Sequence, residues 1–129
     1  MPRRARAVLL GLTMSLAACA DDQPTLTVVD TFTGQLSSGS VSAHSFFASS
    51  DGDVVVGFDT LSGSGITIGA YFGTPDGDGC VEQASYAPVT EASELVLSIG
   101  EPGDYCVALY DIGLLGTVTI DYEITVVHP

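Results

Sequence analysis

Carboxylates are the commonest reactive groups in this 129-residue chain, and the set best placed to act together is Asp76-Gly77-Asp78-Gly79. Two carboxylates spaced two residues apart on a glycine-rich backbone offer hard oxygen ligands of the kind that suit Ca²⁺. Glu82 and Asp104 would approach Asp76 and Asp78 if Cys80 bonded Cys106. The pattern is only a fragment of D-x-D-x-D-G. The same residues also make an ordinary hairpin turn, in which Asp and Gly supply the backbone conformations. Asp51-Gly52-Asp53 admits the same two readings.

Nucleophilic chemistry has thinner support. His44 lies between Ser42 and Ser45 in a chain rich in carboxylates, so the residue types of a Ser-His-Asp arrangement are present. There is no G-x-S-x-G, and the mature chain has no Lys or Arg to assist an oxyanion. The expectation is therefore a non-enzyme with no catalytic residue, in which His44 sits on an edge strand or faces solvent. His128, one residue from the end, reads as an exposed tail residue. Sixteen acids supply many carboxylate pairs but single out none for glycoside cleavage.

The remaining reactive groups are three cysteines. Cys19 closes Leu16-Ala17-Ala18-Cys19 after Arg3, Arg4, Arg6 and the largely apolar run from Ala7 to Ala18. A basic start, a short apolar run and small residues before a cut make a secretory signal. The run is too short to stay as a membrane-spanning helix. The last four residues resemble the lipobox of bacterial lipoproteins, which implies a signal peptide over 1–18 and a mature chain beginning at Cys19. There the sulfur would become a thioether to diacylglycerol, leaving a lipidated end and a short tether over 19–25. An ordinary cut near Ala18 or Ala20 would strand an odd thiol in an oxidising compartment. Arg6 occupies a position where a twin-arginine motif wants an apolar residue. Ala20, rather than Asp, after Cys19 resembles the pattern released to the outer membrane, so the expected place is the cell envelope, at that membrane or the cell surface.

Cys80 and Cys106 are then two thiols in an exported domain, most simply one disulfide. There is no CxxC spacing and no third ligand nearby for a metal or redox pair. Closing a loop of about 27 residues would stabilise the fold by roughly 3.5 kcal/mol in the chain-entropy estimate.

Loss of the leader removes every basic side chain. The full chain has three Lys plus Arg against 16 Asp plus Glu, a formal charge of −13, and from Cys19 onward the charge is −16. Such a surface repels nucleic acid and anionic lipid and attracts divalent metals and basic partners. Without basic side chains, the sequence predicts no internal salt bridges and a self-repulsion that molar salt relieves.

Strands must position these groups. Val118, Ile120, Tyr122, Ile124 and Val126 alternate with Thr117, Thr119, Asp121, Glu123 and Thr125, a period of two with one wet face. Similar runs cover 41–48, 54–59, 66–72, 94–99 and 104–110, with weaker ones near 27–32 and 80–86. Gly/Asp turns separate them, and Pro102-Gly103 suits a type II turn. Thr90 to Glu94 forms one helical turn at most. Seven or eight short strands without a convincing helix imply an all-β, antiparallel, jelly-roll-like sandwich over 26–129. Val54 to Val56 and Phe58 would form one wall of its core, filled by Ile66, Ile68, Phe72, Leu95, Leu97, Tyr105, Val107 and Leu109. The disulfide would lie across the sheets or along a shared edge.

The order Phe46-Phe47-Ala48, a Gly/Asp turn, Val54-Val55-Val56, Ile68-Gly69-Ala70-Tyr71-Phe72, Leu95-Val96-Leu97 and Pro102-Gly103-Asp104-Tyr105-Cys106-Val107 resembles the bacterial pre-peptidase C-terminal domain. The resemblance spans Thr31 to Val127 through short, degenerate motifs. It implies a jelly-roll-type sandwich that is accessory to secreted proteins rather than catalytic. Here a lipid anchor would stand where those proteins carry a peptidase, a departure that sits poorly with a role in protease maturation. Three classes of function follow: a non-catalytic envelope module that is structural or binds glycan or protein; an acidic subunit of an envelope assembly or export complex facing a basic partner; and a small enzyme, which would need a cleft holding perturbed titratable groups.

Overall fold

A computed structural model describes residues 27–129. The leader, the tether and Cys19 lie outside the described residues. The described chain forms eight strands: β1 (Val28–Leu36), β2 (Val41–Ala48), β3 (Gly52–Leu61), β4 (Ile68–Asp76), β5 (Gly79–Val89), β6 (Glu94–Ile99), β7 (Gly103–Tyr110) and β8 (Ile120–His128). Two four-stranded sheets result, ordered β1-β8-β3-β6 and β2-β7-β4-β5. Every pairing is antiparallel. This is the all-β sandwich expected, with the strand order of a jelly roll.

The topology has a simple origin. β4 pairs with β5, β3 with β6, β2 with β7 and β1 with β8, so the chain is one long antiparallel ribbon folded back at Gly77-Asp78. Rolling the ribbon adds the β3–β8 and β4–β7 pairings and closes the sandwich. At the ribbon's tip Asp76 pairs with Gly79, and Gly77 takes φ +61° at the first central position, where a type II′ turn requires glycine.

Alternation places the core. In β8 Ile120, Tyr122, Ile124, Val126 and His128 are buried, while the residues between them are exposed or half-buried. From β3, Val54, Val56 and Phe58 point inward, whereas Val55 lies on the opposite face of the strand and is only half-buried. They meet Phe46, Ile68, Phe72, Val107 and Leu109 of the other sheet. Ile66, Leu95 and Tyr105 pack against this core half-buried. In a chain without Trp, aromatic clustering supplies bulk: Phe72 stacks on Tyr105 at 5.4 Å and Phe46 lies 6.3 Å from Phe72. Full burial of a side chain such as Phe58 contributes about 1.5–3 kcal/mol.

Some local expectations are corrected. The last strand begins at Ile120, because a turn over 115–118, in which Val118 N donates to Leu115 O, comes just before it. Gly103 takes φ +156° and opens β7, instead of the value near +80° that a type II turn asks of its third residue. Thr90 to Glu94 is a tight turn leading into β6, with Ser93 N on Thr90 O and Ala92 at φ +67°.

The edge strand β5 is irregular. Its register against β4 shifts twice, leaving Gln83 and then Ala87 and Pro88 without direct partners. Proline has no N–H to give a ladder, and a bulge on an edge strand is where it is tolerated. The irregularity also blunts an edge that would otherwise template pairing with another chain.

Candidate functional site

The sequence-singled residues fall into three places. Asp76 and Asp78 sit at the ribbon's tip, where the turn geometry accounts for both. Glu82 pairs in register with Gly73 and Asp104 with Phe47. Among the described residues no three His, Cys, Asp or Glu side chains are grouped to hold a metal ion.

Cys80 and Cys106 form a disulfide with Cα atoms 5.8 Å apart. Its placement differs from both expectations. The bond joins the edge strand β5 to the interior strand β7 of one sheet, and β4 runs between them. Strands two apart in a flat sheet lie roughly 9.5 Å from each other. The start of β5 therefore curls over β4, and it does so above Gly73. A Cβ at position 73 would stand 1.6 Å from the Val81 carbonyl oxygen, so only glycine admits the crossing.

The second place lies between the sheets, at the β1–β2 side. β2 is an edge strand, as expected for His44, but the ring points inward. His44 Nε2 lies 2.6 Å from Tyr122 Oη, and Ser42 Oγ makes a short hydrogen bond to the same hydroxyl. Phe32 stacks on the imidazole at 4.8 Å. Burial lowers the His44 pKa, keeping the ring neutral. Burial raises that of Tyr122, against a smaller opposing effect of the Ser42 bond. All three groups are satisfied when Ser42 donates to Tyr122 and Tyr122 donates to His44. Ser45 is exposed on the other face of the strand. His44 is thus engaged by a tyrosine in a cross-sheet tie, and no serine–histidine–carboxylate line is assembled around it.

His128 is corrected more sharply. It is 2% exposed, with Nε2 2.7 Å from Asp30 Oδ2, Nδ1 3.1 Å from the Pro129 carbonyl oxygen, and its ring 4.7 Å from Phe46. The alternation of β8 carries it to the inner face, two residues after Val126. A chain without Lys or Arg after Cys19 therefore still has a histidine–carboxylate contact.

The third place was not anticipated. On the outer face of the β2-β7-β4-β5 sheet, Gly39, Ser40, Val41, Tyr71, Glu82, Tyr110 and Asp111 line a shallow depression of about 300 Å³. Tyr110 pairs in register with Gly69 and Tyr71 with Ala108, and these small partners let both rings lie down on the sheet. A Cβ on Gly69 would come within 2.2 Å of Tyr110 Cζ. The two ring centroids are 5.8 Å apart. Asp111 is fixed by four backbone amides, Gly39 at 3.0 Å, Gly113 at 2.9 Å, Leu114 at 3.1 Å and Leu115 at 3.2 Å. The Gly39 amide foremost, with those of Leu115, Gly113 and Leu114, holds this carboxyl below the usual carboxylate range against a smaller desolvation effect. The sequence signal was Gly69-Ala70-Tyr71 facing Ala108-Leu109-Tyr110, but it acquires meaning only once β4 and β7 pair.

The chain matches no protein-family model, and no curated protein matches it in sequence.

Proposed function

We propose that the chain is an exported, lipid-anchored, non-catalytic β-sandwich module of the cell envelope, held to a membrane by lipid on Cys19 and binding a glycan or protein there or serving a structural role. The observation that carries the reading is the Cys80–Cys106 disulfide in a domain that follows a lipobox-like leader. Disulfides persist in oxidising compartments and are rare where thiols are kept reduced. The resemblance to pre-peptidase C-terminal domains supports the same reading, since it implies an accessory jelly-roll module. Ala20 favours the outer membrane or the cell surface.

A second reading rests on charge. With 16 carboxylates and no Lys or Arg after Cys19, the module suits an acidic subunit of an envelope assembly whose partner is basic. A Ca²⁺-binding accessory role through Asp76 and Asp78 has less support, because the hairpin explains both residues.

Radiolabelled palmitate tests the anchor. Incorporation into the full chain, lost in Cys19→Ser, is the expected result. A chain that is never labelled, or whose leader is retained, overturns the reading.

A further inference from the structure

We infer that the depression around Tyr71 and Tyr110 is a docking site for a guanidinium group presented by a basic polypeptide segment. The inference deepens the reading of the chain as a binding module by naming the chemistry of its ligand.

Three observations converge. The floor is aromatic and held in place, because Tyr110 lies against Gly69 and Tyr71 packs beside it at 5.8 Å. Both rings are half-buried, and Val41, the cross-strand neighbour of Tyr110, is 57% exposed at the margin. The carboxylates on the rim are Glu82, which is exposed, and Asp111, which the loop amides orient. The Ser40 hydroxyl is already committed to the Ser37 backbone, donating to its carbonyl at 2.7 Å and accepting from its amide at 2.9 Å.

Loop amides already engage both Asp111 oxygens, so Glu82 is the open ionised acceptor, with the Asp111 charge beside it, and the pair favours a cationic ligand rich in donors. Guanidinium has five N–H donors and no acceptor, and its plane stacks on aromatic faces. An ammonium is a compact, strongly hydrated charge that stacks poorly, so lysine fits less well. A sugar would find donors in the Tyr71 and Tyr110 hydroxyls, but it carries no positive charge to answer Glu82 and the acidic surface around it. The charge of the whole chain steers a basic segment to the surface, while the two tyrosines decide where it rests.

The test is an NMR titration of the purified full chain with a blocked Arg-Gly-Arg peptide, beside its Lys-Gly-Lys counterpart and a neutral disaccharide. Saturable shifts confined to Val41, Tyr71, Tyr110, Glu82 and Asp111 are expected. Affinity should fall by roughly tenfold in Glu82→Gln and in Tyr71→Leu, and the lysine peptide should bind several-fold more weakly. Glu82→Gln changes an exposed side chain, so it tests the site even if Tyr71→Leu disturbs the fold. Three results would each overturn the inference: no saturable shift, shifts spread over Asp53, Asp76 and Asp104 that are indifferent to Tyr71→Leu, or disaccharide binding indifferent to Glu82→Gln. Palmitate labelling reports on the anchor separately, so a lipidated chain that ignores the arginine peptide defeats this inference alone.

Discussion

Gly34 and Tyr122 face each other across the β1–β8 ladder, and the tyrosine occupies the space that a side chain at position 34 would need. A Cβ there would come within 2.5 Å of Tyr122 Oη. Glycine in a strand is normally a weakness, since it loses more chain entropy and packs nothing. Here it opens the path by which the Tyr122 hydroxyl crosses between the sheets to Ser42 and His44. Gly34→Ala is expected to push the buried ring aside and destabilise the fold by about 1–3 kcal/mol. Tyr122→Phe keeps the ring, strands the two polar partners, and should cost about 1–2 kcal/mol. Urea unfolding of both variants checks the pair; wild-type stability in Gly34→Ala would remove the steric argument.

The same tie predicts a pH dependence. Burial depresses the His44 pKa in the folded chain below its ordinary 6.5, so the unfolded chain binds the proton first as pH falls. Stability from this group is present above the unfolded pKa and is lost as pH falls toward the folded one. The difference in melting temperature between wild type and His44→Gln should therefore shrink as pH drops from 7 toward 5. Tyr122 works at the other end. Its pKa is raised above 10 in the fold, so its contribution declines as pH rises beyond that value. Parallel melting curves for wild type and His44→Gln across the acid range would show that the imidazole is not desolvated as described.

Removing the disulfide tests the crossing over β4. The bond closes a separation of 26 residues, and the double variant Cys80→Ala/Cys106→Ala should lose about 3.5 kcal/mol. Gly73→Ala should be at least as damaging, because its Cβ would meet a backbone carbonyl that no rotamer change can move. Free-thiol assays after Gly73→Ala should show Cys80 and Cys106 reactive in part of the population. Full oxidation together with wild-type melting would contradict the proposed path of β5.

Charge repulsion gives a third handle. The described residues contain no Lys or Arg, and the basic contact to a carboxylate among them is His128 with Asp30. Screening should therefore relieve more repulsion than attraction. Melting temperature is expected to rise between dilute buffer and molar NaCl. A flat or falling response would show that the carboxylates lie far enough apart to ignore one another.

The alternation of β8 and the turns rich in Gly and Asp made the strands, the sandwich and most inward-facing residues legible, because a period of two is a local property of the chain. Pairing of Cys80 with Cys106 was legible too, by elimination among three thiols. Beyond that the sequence was silent. Which strands become neighbours is decided by the rolling of the ribbon, a choice made by contacts between residues far apart in the chain. His128 looked like a tail residue until its strand was seen to run on to the end of the ladder. Nothing in the sequence set Gly34, Gly69 or Gly73 apart from the other glycines. Each is required by one neighbour, Tyr122, Tyr110 or the Val81 carbonyl, that only tertiary pairing brings within contact. The tyrosine depression arises in the same way: its two rings belong to different strands, and their adjacency is a consequence of register.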